Sequence, residues 1–135
     1  MTQKALTVYV VDDDASIRSA LKRLLRSVGY HAVTFESAEG FLDGSARLTK
    51  GCLVLDIRLP GMSGLDLQER LSLLGSEHPV IFMTAHDNPE WQEMARKAGA
   101  VAYLKKPFPE QALLEAIRLA CPDVDESGNG DQVNL

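Results

Sequence analysis

The sequence predicts an α/β fold, a doubly wound parallel sheet of five strands covered by helices on both faces, and three observations predict it. Short apolar runs rich in β-branched residues recur at residues 6–11, 31–35, 52–55, 80–83 and 101–104. Between them stand segments whose apolar residues recur at helical spacing. The connections are short, and strand–helix alternation of this kind gives parallel strands with right-handed crossovers.

The first run, LTVYVV, stops at Asp12. Asp14 is placed to cap the helix that follows, in which Ile17, Ala20, Leu21, Leu24, Leu25 and Val28 share a face and Gly29 supplies the C-terminal cap. After the second strand, Ser37 caps a short helix carrying Phe41 and Leu42. The third run, CLVL, is continuously apolar, the pattern of a strand buried on both faces, and ends in a carboxylate, Asp56. Pro60, Gly61 and Gly64 then mark a loop. Ser63 and Asp66 have capping-box spacing, and the stripe of Leu67, Leu71 and Leu74 gives the third helix a core face. The fourth run, VIFM, lies between Pro79 and Thr84, with Met83 in the core.

Asn88 followed by Pro89 reads as a cap and a first helical residue, and this helix runs past Met94, Ala95 and Ala98 to Gly99. Pro109 opens the last helix, which turns Leu113, Ala116, Ile117 and Ala120 inward. Five such units take the flavodoxin-like strand order 2-1-3-4-5, with a ligand crevice beside strands 1 and 3. From residue 122 the pattern collapses into PDVDESGNGDQVNL, an acidic tail without core residues. The expected organisation is one domain over residues 1–121 and a flexible tail over 122–135.

Composition narrows the function classes. With 135 residues, 45% of them hydrophobic and 24% charged, the chain has the balance of one ordinary globular domain. A net charge of −5 argues against a nucleic-acid or anionic-membrane surface. No apolar run is long enough to span a bilayer, and the N-terminal residues lack the pattern of a signal peptide, so the expected location is the cytoplasm. Cys52 and Cys121 are too few and too far apart for a disulfide framework or a CxxC motif, and read as reduced small hydrophobes. His31, His78 and His86 have no metal-ligand spacing; the first two read as surface or loop residues. Trp91 fits the core and a partner surface equally well.

The chemistry gathers at the strand ends. In a parallel sheet all the carboxyl ends lie on one edge, which brings together Asp12, Asp13 and Asp14 after strand 1, Asp56 at strand 3, Thr84 at strand 4, and Lys105 and Lys106 after strand 5. Asp14 is the helix cap and Lys105 is solvated. Clustered carboxylates raise one another's pKa unless a cation compensates, and hard oxygen ligands suit Mg²⁺. Asp13 and Asp56 would hold the metal, Asp12 would reach it through water, and a backbone carbonyl just past Asp56 would complete the set. Asp56 keeps an oxygen free to attack phosphorus, giving an aspartyl phosphate. Mg²⁺ and Lys106 would neutralise the phosphoryl oxygens and the Thr84 hydroxyl would donate to one of them. Neither GxxxxGK[ST] nor GxGxxG occurs, so the phosphoryl group must arrive on a donor other than a cradled nucleotide.

The segments VVDDD (10–14), LDIRLPGMSG (55–64), MTA (83–85) and AYLKKPF (102–108), in this order and spacing, resemble the receiver domain of two-component response regulators. The resemblance covers about residues 6–120. SAEGFL (37–42) and KAGAVAYLKKPF (97–108) look most like the FixJ-type subgroup. The resemblance implies that Asp56 is the phosphoacceptor, Asp12 and Asp13 the acidic metal pair, and Arg58 the donor of a main-chain oxygen to the metal. It further implies Thr84 as the switch hydroxyl, Lys106 as the family's lysine, Tyr103 as the aromatic switch, and a cis bond before Pro107. As a residue, Tyr103 also fits a plain half-buried core aromatic. Arg58 and His86, two places beyond Asp56 and Thr84, flank the path of attacking water in receivers. Pro109 departs from the polar cap that many members carry.

For partners, the resemblance implies a sensor histidine kinase as phosphodonor. It also implies a surface of the fourth helix, fifth strand and fifth helix that is remodelled on phosphorylation and supports a homodimer. No nucleic acid, membrane or small-molecule cofactor besides the metal is expected for this domain. Such a domain promotes its own phosphorylation and dephosphorylation but turns over no separate substrate. The rival is a receiver-like interaction module that works unphosphorylated, against which the full set of acids, threonine and lysine argues. A haloacid-dehalogenase-type phosphohydrolase would need DxD after strand 1, where the acids here are contiguous. A flavodoxin would need a Ser/Thr-rich first loop, which the acids replace.

Overall fold

A computed structural model describes residues 6–44, 49–86 and 88–122; the expected acidic tail lies, past Pro122, outside them. The strands are β1 (Thr7–Val11), β2 (His31–Phe35), β3 (Cys52–Asp56), β4 (Val80–Thr84) and β5 (Ala102–Lys105). The helices are α1 (Ala15–Ser27), α2 (Ala38–Asp43), α3 (Gly64–Leu73), α4 (Pro89–Lys97) and α5 (Glu110–Ala120). All strand pairs are parallel and the order is β2-β1-β3-β4-β5, the flavodoxin-like arrangement.

Strand alternation sorts the core into two layers. Tyr9, Val11, Leu53, Leu55, Val80 and Phe82 face one side, where Phe41, Leu67, Leu71 and Ala95 of α2, α3 and α4 cover them. Val8, Val10, Cys52, Val54, Ile81 and Met83 face the other, under Leu21, Leu25, Leu113 and Ile117 of α1 and α5. Every residue of β3 and β4 is buried, as strands covered on both faces must be.

The caps form as their residues dictate. Asp14 accepts the Ser16 and Ile17 N–H groups, Ser37 that of Gly40, and Asn88 those of Glu90 and Trp91, with Pro89 at the first turn. Ser63 and Asp66 close a reciprocal capping box. Gly29, at φ +97°, stands one place after the α1 cap residue, Val28.

The expected helix faces need correction at Leu74, Val28 and Ala20. Pro109 is the cap residue of α5 and makes no side-chain cap, so the helix begins at Glu110. Leu74 is the α3 C-cap and lies exposed, because by then the helix has run past the sheet. Val28 and Ala20 also face solvent, whereas Leu114 is buried with the inner face of α5. Met94 is exposed, leaving Ala95 as the buried residue of α4. The Lys106–Pro107 bond is cis, as the resemblance implied. Among the described residues no helix is long and apolar enough to cross a membrane.

Candidate functional site

The register builds the site. Val11 pairs with Leu55, so Asp12 and Asp56 each stand one step further along neighbouring strands. Asp56 pairs with Met83 and Thr84 with Lys105, which brings the remaining groups to the same edge. The ladder continues one residue past each strand: Asp12 N–H donates to the Phe35 carbonyl at 3.1 Å, Ile57 N–H to Met83 at 3.1 Å, and Lys106 N–H to Thr84 at 2.8 Å. The backbone that carries the polar groups is therefore as firmly held as the sheet itself.

Asp12, Asp13 and Asp56 each offer a carboxylate oxygen within 4.8 Å of the others. Asp12 is fully buried, Asp56 nearly so, and Asp13 is exposed. The Lys106 ammonium enters this group, donating to Asp12 Oδ2 at 2.7 Å and to Asp56 Oδ2 at 3.4 Å. Asp12 Oδ1 accepts the Asp14 N–H at 2.9 Å, so both its oxygens are engaged.

One ammonium does not balance three carboxylates, and Asp56 is buried beside one of them. Burial, and next the charge of Asp12, push its pKa up to about 6, against the opposing pull of Lys106 and the Arg58 N–H. Burial works to lower the Lys106 pKa, but the hydrogen bond to Asp12 and the charges of both acids outweigh it and the pKa rises. An all-oxygen donor set with excess negative charge fits a hard divalent cation.

Thr84 is fully buried, and its hydroxyl oxygen accepts the His86 N–H at 3.1 Å, leaving the O–H proton to donate elsewhere. Tyr103 is half-buried and packs on the core layer of α2, α3 and α4. Arg58 and Trp91 both line a cleft of about 490 Å³ that also reaches Asp13. Trp91 belongs partly to the core and meets His86 edge to face at 6.3 Å. The core reading of that residue therefore holds in part.

Two contacts near the site have no sequence signal. Arg18 on α1 donates from Nη1 to the Asp12 carbonyl at 2.8 Å, and Glu39 on α2 accepts the Met62 N–H at 2.8 Å. Both are surface positions of helices, where the aim of a long side chain depends on the neighbouring loop. His78 is also more than a loop residue. It packs edge-on against both Tyr9 and Phe41, and both ring nitrogens are hydrogen-bonded, to the Ser76 hydroxyl and the Thr49 carbonyl.

Comparison with known proteins matches these features. The family model described as the response regulator receiver domain matches residues 8–118. The chain is 45% identical over 120 residues to the response regulator protein TodT of Pseudomonas putida, covering 89% of this chain and 53% of that protein. It is 36% identical over 126 residues to the transcriptional regulatory protein FixJ of Bradyrhizobium diazoefficiens, covering 93% and 62%. The chain spans about half the length of the curated relatives it matches. Among solved structures, the response regulator StyR superposes with a TM-score of 0.83 at 45% identity, over 96% of this chain and 65% of that one. FixJ-N does so with 0.82 at 36% identity, over 90% and 97%. The matched region takes in all five strands and the whole acidic edge, and the chain belongs to the response regulator receiver domain family.

Proposed function

We propose that Asp56 accepts a phosphoryl group from a phosphohistidine on a sensor histidine kinase, and that the domain over residues 1–121 thereby switches an output partner. The observation that carries this reading is the Lys106 ammonium lying between Asp12 and Asp56 on a sheet edge with an excess of carboxylates. Asp56 Oδ would form a bond to phosphorus as the bond from phosphorus to the donor nitrogen breaks and its electron pair leaves with the imidazole.

Asp12, Asp13 and Asp56, with the main-chain oxygen of Arg58, would hold Mg²⁺, and the ion when bound supplies positive charge beside the transferring group. Lys106 provides the protein's own positive charge, and its backbone is held at 2.8 Å to the Thr84 carbonyl. The Thr84 hydroxyl donates to a phosphoryl oxygen, and Tyr103 follows its movement as the aromatic switch. Such a two-position element, biased by a new local charge, is how a small chemical event remodels a distant face. That face is α4-β5-α5, where Met94, Val101 and Leu119 expose apolar side chains for a partner or a second copy of the chain.

The test is intact mass after exposure to a small acyl phosphate, with and without Mg²⁺, for the wild type and Asp56→Asn. A Mg²⁺-dependent gain of one phosphoryl group in the wild type alone is the expected result. No gain, or an equal gain in the variant, would favour a receiver-like module that binds its partner unphosphorylated.

A further inference from the structure

The loop between β3 and α3 carries Arg58 and borders Asp56, so its position decides what oxygens reach the site. Its first residue is tied to β4 through the Ile57 N–H, and its last turn closes when Gly64 N–H donates to the Ile57 carbonyl at 2.9 Å. Its middle is held from outside. Glu39, in the first turn of α2, places Oε2 2.8 Å from the Met62 nitrogen and accepts its N–H. The loop lies directly on this carboxylate: a Cβ built on Gly61, which has φ +77°, would come within 2.6 Å of Glu39 Oε2. That hydrogen bond is also the main cause of the lowered Glu39 pKa.

We propose that Glu39 is a positioning residue for the divalent-cation site: it clamps the loop at Met62 and thereby sets the Arg58 carbonyl beside Asp13 and Asp56. This rests on the proposed function, in which that carbonyl and the three acids hold the ion. Glu39 itself touches no metal ligand. Its effect passes through the backbone from Met62 to Arg58. A partner outside the ligand shell ordinarily changes metal affinity by about 10- to 100-fold when removed. One acting through four residues of loop belongs at or below the lower end.

The experiment is an Mn²⁺ titration of the unphosphorylated protein, followed by the signal of free Mn²⁺ in electron paramagnetic resonance, with hydrogen exchange of the Met62 amide on the same samples. Glu39→Ala is expected to weaken Mn²⁺ binding by about tenfold and to expose the Met62 amide to exchange. Glu39→Gln retains a carbonyl oxygen in reach and should restore both. Glu39→Asp keeps the charge but falls a methylene short. It should behave like the alanine variant, and serves in its place if that variant does not fold. Unchanged Mn²⁺ affinity in the alanine and aspartate variants would overturn the clamp, as would a glutamine variant as weak as alanine. A wild type that binds no Mn²⁺ would overturn the metal reading itself. A wild type that binds Mn²⁺ yet gains no phosphoryl group would leave the Glu39 assignment standing and sink only the phosphoacceptor role.

Discussion

The Lys106 ammonium lies closer to Asp12, at 2.7 Å, than to Asp56, at 3.4 Å. Asp12 is the more deeply buried of the two acids, and its second oxygen is already taken by the Asp14 N–H. Without a divalent ion, the lysine's first task is therefore to keep a buried carboxylate compensated.

Removing that ammonium should destabilise the metal-free protein. Lys106→Ala leaves Asp12 buried and unpaired, a change that costs about 3 kcal/mol in comparable buried pairs. The raised pKa of Lys106 means that its contribution is fully present at neutral pH and is lost only as pH climbs through that raised value. Urea denaturation at pH 7 is the measurement, repeated with Mg²⁺. The loss should shrink as the ion takes over the compensation, and a variant as stable as wild type without metal would refute the pairing.

Asp56 gives the opposite sign. Its folded pKa, about 6, lies above the ordinary value of 3.8, so the folded state binds the proton more tightly than the unfolded chain. Stability from this group is then fully present below about pH 4 and is lost as pH rises through 6. In metal-free buffer Asp56→Asn should be more stable than wild type at pH 7, by up to about 3 kcal/mol. The two should converge near pH 4. Denaturant melts across this window decide it, and a difference that does not depend on pH would show that Asp56 carries no such strain.

Gly64 sits where a side chain would meet backbone. A Cβ there would run into the Asp56 carbonyl oxygen and lie 3.0 Å from Ile57 Cα. Neither atom can rotate away, so Gly64→Ala should cost about 1–3 kcal/mol, the usual penalty of overpacking. It should also slow phosphoryl uptake, since the displaced atoms belong to Asp56. Equilibrium unfolding, with uptake from an acyl phosphate in parallel, tests both. A substitution neutral in both would mean that the loop yields more readily than its contacts imply.

The elements were legible because each strand here is a run of apolar residues that stops at a polar one. The same rule exposed Asp12, Asp56 and Thr84, since in a parallel sheet the residue that ends each run is the residue on the edge; Lys106, one place beyond the end of β5, came from the resemblance. What escaped depends on where chains cross. Arg18 and Glu39 look like ordinary helix-surface charges until the loops beneath them are in place. Leu74 keeps the apolar spacing of α3 but stands past the end of the sheet, with nothing to cover it. Cys52 and Cys121 showed no spacing of interest, yet the end of α5 brings the Cys121 thiol to Cys52 in the same core layer. That contact, and next burial, push the Cys52 thiol up.

The pairing of Val11 with Leu55 has a consequence for how such a chain tolerates change. Asp12 and Asp56 are spaced by the interval between two hydrogen-bonded strands, so the separation of the two acids is inherited with the sheet, whatever the helices add to the loops around them. Shifting either strand by one residue would turn its side chains to the opposite face and carry the acid away from its partners. Single-residue insertions in β1 or β3 should thus abolish function outright, while the outer faces of α1 and α3 can drift. A lineage built on this arrangement can exchange its recognition surfaces freely and keep its chemistry unaltered.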